Sequence, residues 1–388
     1  LALHLVDAGD AVEVWTGTPS DREPETAEVL DGLVVRRFPM PLPAANLPSV
    51  VRTMTTGTAT LLGLRKAAAT FRPDVVHVQC FGPNGAYASA LCRLARLPLV
   101  VSLQGETFMD DADVFEDSRT LGAALAAGLR QAAAVTACSA YTLDDAVSRF
   151  GLPPGRGLVV PNGVDLDEQP AAAGSAGSGR PAFVPGRRRY AFALGRLVPK
   201  KGFDLLLEAY GSLPGEARTF DLALAGSGPA GPDLERRVAE LGLDGRVHLL
   251  GRLTRHEVAE AMAGAMCFVM PSRVEPFGIV VLEAWRAGAA VVASSRGGAP
   301  GFVRDGEDGL LVDPFDARAL GAALSRLARD SRLRNRLARA GRARVVEFSW
   351  PAVTARYREV YAAATGVTSP SSAPAHAIMA SDQGGRIS

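Results

Sequence analysis

The sequence predicts two successive Rossmann-like α/β domains, and three observations carry that expectation. Short strand-like apolar runs alternate with helix-like segments along most of the chain, the mark of parallel sheets wrapped by helices. One stretch, 168–189 (EQPAAAGSAGSGRPAFVPGRRR), breaks the alternation with Gly, Ser, Pro and Ala, the composition of a linker or exposed loop. A length of 388 residues, 47% of them hydrophobic, suits two ordinary cores better than one.

In the first half, strands are expected near 12–15, 34–37, 75–78, 99–103 and 134–137, and helices near 49–70, 84–95, 119–131 and 139–150. Residues 1–9 read as the end of a helix, apolar at Leu1, Leu3, Leu5 and Val6 and closed by Gly9. An α/β domain rarely begins in a helix, so a first strand and its loop are expected to be missing from the front. After the linker come strand 190–194, helix 203–212, strand 221–225, helix 233–241, strands 247–249 and 267–270, helix 278–287 and strand 290–293. A broken helix over 317–348 and a helix over 351–364 follow. Residues 365–388, rich in Ser, Ala, Gly and Pro, are expected to be a disordered tail. The expected division is 1–167, linker 168–189, 190–350, the helix 351–364 and the tail 365–388.

Bulk composition excludes several classes. Lys and Arg number 42 against 41 Asp and Glu, and a net charge of +1 argues against nucleic acid as a partner. The four cysteines, Cys80, Cys92, Cys138 and Cys267, form no C-x-x-C pair, so neither a zinc knuckle nor a disulfide framework is indicated. A reducing, cytoplasmic setting is the simplest reading. No apolar run reaches the ~18 residues of a membrane span, and no charged start precedes an apolar signal core.

The chemistry-bearing stretches fall at strand ends in the second half, where α/β sheets place ligands. Glu275-Pro276-Phe277-Gly278-Ile279-Val280-Val281-Leu282-Glu283 follows strand 267–270 and opens a helix. Gly278 lets backbone approach a ligand, and the helix start offers N–H groups and a positive dipole end suited to phosphate. Glu275 and Glu283 lie eight positions apart, about 12 Å along a helix. Hydrolytic carboxylate pairs stand only about 5–9.5 Å apart, so this is no obvious glycosidase pair. The two could accept hydroxyl hydrogens from a sugar and a ribose; a surface Glu and a helix-face Glu is the plainer reading.

Gly195-Arg196-Leu197-Val198-Pro199-Lys200-Lys201-Gly202 follows strand 190–194. Arg196 brings a planar fork and Lys201 a point charge, both suited to a diphosphate, and together they could stabilise its departure without a metal. A solvated basic loop is the alternative. Gly226-Ser227-Gly228-Pro229 and Arg296-Gly297-Gly298-Ala299-Pro300 are two more glycine turns at strand ends.

These motifs, with Pro161-Asn162-Gly163-Val164-Asp165 and Phe348-Ser349-Trp350, resemble a retaining glycosyltransferase of family 4 with the GT-B fold, over roughly residues 1–364. The resemblance implies two domains facing each other across a cleft, with the last helix crossing back to the first. It implies a nucleotide-diphosphate sugar as donor and a sugar, lipid or small-molecule acceptor. Arg196 and Lys201 match the pair that binds the donor diphosphate, Glu275 the carboxylate facing the donor sugar, and Glu283 the carboxylate on the ribose. Gly278 and Ile279 match backbone contacts near sugar and phosphate, Gly195, Gly226 and Gly228 the donor-side glycine loops, and Arg252 in Leu250-Gly251-Arg252-Leu253 the stretch along the base. No metal and no cofactor is implied. The setting implied is cytoplasmic, with peripheral association at the inner face of the membrane.

The chain departs from the family at two positions. Gln104 stands where relatives often carry His; Gln cannot pass a proton but can hydrogen-bond a sugar hydroxyl. Gly301 stands where relatives commonly have Glu.

Other candidates are read both ways. His77, inside a strand-like run, is either a satisfied core histidine or part of the acceptor cleft. His248 reads as structural. Asp111-Ala112-Asp113 has metal-binding D-x-D spacing but lies in an acidic run that reads as a solvated loop; Asp165-Leu166-Asp167 reads as a connection between domains. No nucleophile elbow, phosphate-binding P-loop or dinucleotide fingerprint stands in a suitable place. Besides transfer, the alternatives are a sugar-nucleotide epimerase or phosphorylase on a similar fold, and a non-catalytic nucleotide-sugar-binding protein.

Overall fold

Short Val- and Leu-rich runs buried on both faces, such as Val75–Gln79 and Leu99–Leu103, are what a parallel strand covered by helices on both faces requires. A computed structural model of the chain, describing residues 1–20, 23–43, 47–109, 114–167, 181–366 and 374–380, folds these runs into two parallel-rich sheets. The chain divides into one compact unit of Leu1–Pro161 with Val353–Ser388 and a second of Asn162–Ala352. The helix Trp350–Thr365 begins in the second unit and continues in the first. Among the described residues no helix is long and apolar enough to cross a membrane.

The first unit holds strands β1 (Ala11–Gly17), β2 (Thr26–Leu30), β3 (Leu33–Phe38), β4 (Val75–Gln79), β5 (Leu99–Leu103), β6 (Ala134–Ala137) and β7 (Gly157–Val159). The second holds β8 (Tyr190–Leu194), β9 (Asp221–Ala225), β10 (Val247–Leu249), β11 (Cys267–Met270), β12 (Val291–Ser294) and β13 (Leu310–Val312). One more strand, β14 (Ala375–Ala380), returns to the first sheet, whose order is β2-β3-β1-β14-β4-β5-β6-β7.

β14 corrects the expected disordered tail at these six residues; 367–373 and 381–388 lie outside the described residues. It lies between β1 and β4 in the first sheet. It runs parallel to β1 on one side, pairing Ala11 with Ala375 through Thr16 with Ala380, and to β4 on the other, pairing His376 with Val75 through Ala380 with Gln79. Ala377 and Met379 enter the same core as Trp15, Val78 and Leu91. Side chains hold its two ends. Asp74 accepts from the Ala375 amide at 2.8 Å, His376 meets the buried Asp10 carboxylate at 3.2 Å, and Asn84 donates to the Met379 carbonyl at 3.1 Å.

Several further elements are absent from the sequence reading, the short strand β7 among them. Leu30-Asp31-Gly32-Leu33 turns β2 back on β3 as an antiparallel hairpin, with Asp31 and Gly32 both at positive φ, as an Asp-Gly two-residue loop demands. The helix Arg255–Gly264 starts on a capping box between Thr254 and Glu257. Strand β13 closes one edge of the second sheet. The break in the helical stretch after residue 317 falls at Asp330, which ends the helix Ala317–Arg329 and caps Ser331–Arg344 through the Leu333 amide. Of the expected linker, 168–180 lie outside the described residues, while Val184 is buried.

Candidate functional site

The second sheet has the order β10-β9-β8-β11-β12-β13 with every pair parallel, so the succession of strands reverses between β8 and β11. Ligands of open α/β sheets bind beyond the carboxyl ends of the strands at such a switch point. The four glycine-bearing loops singled out in the sequence follow β9, β8, β11 and β12, the four central strands, and so stand side by side.

They pack backbone on backbone. Gly226, at φ 133°, lies so close to the Gly195 carbonyl that a β-carbon would collide with it, and the Gly226 amide donates to the Gly251 carbonyl at 2.7 Å. Gly228 abuts the Leu197 carbonyl in the same way. On the other side of the switch point, Gly297 and Gly298 press on the backbone of Glu275 and Pro276, and the Gly298 amide donates to the Glu275 carbonyl at 2.8 Å. These glycines are needed for close approach of one loop to the next.

At the switch point itself, Lys201 Nζ meets Glu275 Oε2 at 2.7 Å. Ser272 Oγ donates to the same oxygen at 3.0 Å. Glu275 is buried, and Lys201 sits at the end of the short 3-10 turn Pro199–Lys201. Gly278, at φ 99°, caps the eight-residue helix Ile279–Arg286. The first N–H groups of a helix have no intrahelical acceptor, and Ile279 at that start is 40% exposed. Glu283 lies farther along the helix and is half-buried; Arg196 and Arg252 are exposed. Gly195 is half-buried, and Gly226 and Gly228 are half-buried and exposed respectively. Gly301 has open space where a side chain would begin.

Three residues at this site are absent from the sequence reading as functional candidates. Ser272 is fully buried beside Glu275. Arg273 grips Asp204 with both guanidinium nitrogens, at 2.7 and 2.5 Å. Burial works to raise the Asp204 pKa, but the hydrogen bond and charge of Arg273, together with the backbone N–H groups of Asp204 and Leu205, hold the carboxyl below its usual range. The signal available was proximity: Ser272 and Arg273 lie between β11 and Glu275, and Asp204 follows Gly202 by two positions.

In the first unit, Gln104 follows β5 and lies beside Gln79 at the end of β4, its amide donating to Gln79 Oε1 at 3.3 Å. The buried Glu106 below them accepts the backbone N–H groups of Phe81 at 2.6 Å and Gln104 at 2.7 Å. Burial pushes its pKa up against the pull of those N–H groups. His77 corrects the acceptor-cleft reading. Its side chain is fully buried, with Nδ1 on the Tyr361 hydroxyl at 2.7 Å and Nε2 on Ser102 Oγ at 2.6 Å. Both ring nitrogens are engaged inside the fold, so neither is left for a substrate. His248 is half-buried at 3.7 Å from Asp221. Asp111 and Asp113 lie outside the described residues.

The motifs at the chain's two unit-crossing points also meet. Val164 and Ser349 form a parallel bridge, and the Trp350 ring covers Gly163 so closely that only glycine fits.

Comparison with known proteins agrees with this arrangement. Residues 180–344 match the family described as Glycosyl transferases group 1, and residues 1–168 match Glycosyltransferase Family 4. A D-inositol 3-phosphate glycosyltransferase of Mycobacterium sp. (strain KMS) is 31% identical over 341 residues, 84% of this chain and 76% of that protein. The lipopolysaccharide core biosynthesis glycosyltransferase LpsE of Rhizobium meliloti (strain 1021) is 38% identical over 171 residues, 44% of this chain and 48% of that protein. Among solved structures, sucrose-phosphate synthase from Thermosynechococcus elongatus superposes with a TM-score of 0.70 at 23% identity, covering 93% of this chain and 92% of that one. Anabaena HepE in complex with UDP and glucose gives 0.65 at 22%, covering 85% and 86%. With its two parallel-rich sheets, its switch-point site and a relative 31% identical of which it covers 76%, the chain belongs to the glycosyltransferases of GT-B fold that join a Family 4 half to a group 1 half.

Proposed function

We propose that this chain is a retaining hexosyltransferase that moves a sugar from a nucleotide-diphosphate sugar to an acceptor hydroxyl. The observation that carries the reading is the Lys201–Glu275 contact at the switch point, in front of the helix start at Gly278. In the transfer, the anomeric carbon exchanges its bond to the diphosphate oxygen for one to the acceptor oxygen, and the acceptor hydroxyl gives its proton to the departing diphosphate oxygen. The charge that develops is on the leaving diphosphate. Arg196, Lys201 and the N–H groups at Gly278 and Ile279 face it with positive charge already in place, which is where preorganised electrostatics lowers a barrier. Glu275 takes hydroxyls of the donor sugar and Glu283 those of the ribose. Gly195, Gly226 and Gly228 let backbone approach the donor, and Arg252 lies along the base.

The first unit supplies the acceptor side, where Gln104 hydrogen-bonds a hydroxyl without exchanging a proton. The acceptor is a sugar, a lipid or a small polyol; the relatives' names, one citing inositol 3-phosphate and another a lipopolysaccharide core, span that range. No metal takes part on this reading, because the cationic pair meets the diphosphate directly. The enzyme works in the cytoplasm, at the inner face of the membrane where its acceptor is a lipid.

The test is a panel of nucleotide sugars assayed against lipid, glycan and small-molecule acceptors, with the product anomer read by NMR. Transfer with the donor's configuration kept is expected. An inverted product overturns retention. Donor binding without any turnover identifies a binding protein, and an epimerised or phosphorolysed sugar identifies the other enzymes of similar fold.

A further inference from the structure

Lys201 and Glu275 belong to different loops, 74 positions apart in sequence. Their meeting depends on what locks those loops together. The connection is built mainly by Arg273. Its Nη1 donates to Asp204 Oδ1 at 2.7 Å and to the Pro199 carbonyl at 2.7 Å, and its Nη2 donates to Asp204 Oδ2 at 2.5 Å. Its backbone amide donates to the Lys200 carbonyl at 2.9 Å. Behind it, Gly202 lies so close to the Pro271 carbonyl that a β-carbon would collide with it, so the two loops also touch backbone to backbone. The guanidinium stands 5.7 Å from the centre of the Phe315 ring, whose other cation is Arg296 at 4.8 Å, itself paired to Asp313.

We propose that Arg273, gripped by Asp204, is a positioning residue that fixes the loop carrying Lys201 against the loop carrying Glu275. The proposal rests on the functional reading above for what those two residues do. The geometry is specific to a guanidinium. A planar fork meets a carboxylate through two parallel bonds and sets its angle as well as its distance, which an ammonium cannot do. The clasp acts close to both groups it serves: Lys200, whose carbonyl it holds, adjoins Lys201, and Arg273 precedes Glu275 by two residues.

The test compares Arg273→Gln, Arg273→Lys, Asp204→Asn and Asp204→Glu in the full chain. Donor turnover, including slow donor hydrolysis, is measured with binding of UDP and GDP by calorimetry and amide hydrogen exchange of both loops. Misplacing a reacting group by about 1 Å can cost about 100-fold. Arg273→Gln and Asp204→Asn are expected to lose up to that factor in kcat/KM, mostly in kcat, with nucleoside diphosphate affinity changing less. Asp204→Glu, which keeps the carboxylate, is expected to regain more than Arg273→Lys, which keeps only the charge. Exchange at the amides of Arg273, Lys201 and Gly202 is expected to rise while that of β8 and β11 stays constant. A purely structural role would lower the melting temperature or the active fraction and leave kcat and KM per folded molecule unchanged; that result overturns the proposal, as does unchanged exchange in the loops. Should wild type neither bind a nucleoside diphosphate nor turn over any nucleotide sugar, the functional reading fails while the exchange measurement still decides whether the clasp holds the loops.

Discussion

Lys201, following β8, and Glu275, following β11, meet at 2.7 Å across the point where the strand order of the second sheet reverses. The pair gives Lys201→Ala two consequences and Arg196→Ala one. Each is expected to raise donor KM and lower kcat, since charge-assisted contacts contribute about 1.5–3 kcal/mol apiece. Lys201→Ala also leaves the buried Glu275 carboxylate with Ser272 as its remaining side-chain donor in this arrangement. It is therefore expected to lower the melting temperature, whereas replacement of the exposed Arg196 is expected to leave it close to wild type. Steady-state kinetics with thermal melts separate the two, and wild-type turnover in the double variant would remove both from the diphosphate site.

The two glutamates are expected to part company when donor and free nucleotide are compared. Glu275→Gln should damage turnover more than binding of the nucleoside diphosphate alone. Glu283→Gln, on the half-buried flank of the helix Ile279–Arg286, should weaken that binding itself. Calorimetry with the nucleotide alone measures the difference. Equal losses in both variants would contradict the division between sugar and ribose.

Much of this site was legible because its signals are local. Glycines needed for close approach, a strand end before each and a helix start after Gly278 all fall within short windows, and Gly195, Gly226 and Gly278 stand where their spacing places them. The Lys201–Glu275 pair and the Arg273–Asp204 clasp were not legible, because each joins residues about 70 positions apart that only the sheet order brings together. Strand β14 was hidden for another reason. A strand buried on both faces shows no alternation of polar and apolar residues, and Ala375–Ala380 is six residues long inside a stretch of Ser, Ala, Gly and Pro. His77 was ambiguous because its partner Tyr361 comes from the far end of the chain.

Buried His77 makes the first unit sensitive to acid. Burial, aided by the charge of His376, pushes its pKa down to about 3. In the unfolded chain an ordinary histidine takes its proton near pH ~6.5. Between those values the unfolded state binds more protons, so stability falls as pH falls through that window. His376, whose pKa is lowered chiefly by burial, acts in the same direction. Denaturant unfolding followed by hydrogen exchange in β4 and β5 is expected to show the loss, and His77→Asn to remove about one proton from its pH slope. An unchanged slope in that variant would mean that His77 does not titrate on unfolding.

The last expectation concerns β14. A central parallel strand gives hydrogen bonds to two neighbours, and removing it turns both into open edges. β1 and β4 would be those edges, and the core around Trp15 and Leu91 would lose Ala377 and Met379. Chain ending at Thr365 is therefore expected to lose cooperative folding of the first unit and to aggregate, while the second unit, whose sheet holds no residue beyond Val312, keeps its own unfolding transition. Point substitutions in the full chain distinguish strand insertion from a general effect of length. Met379→Ala removes a fully buried side chain and is expected to cost about 2–5 kcal/mol in the first unit alone. Met379→Asp, which buries an unpaired charge, is expected to mimic the truncation. Val29→Asp, on the exposed hairpin strand β2, is the control and is expected to change little. Hydrogen exchange resolves the units: amides of β1 and β4 should lose protection in the truncated and Met379→Asp chains, and those of β8 and β11 should not. Full protection of β1 and β4 in the chain ending at Thr365 would show that the first sheet closes without β14.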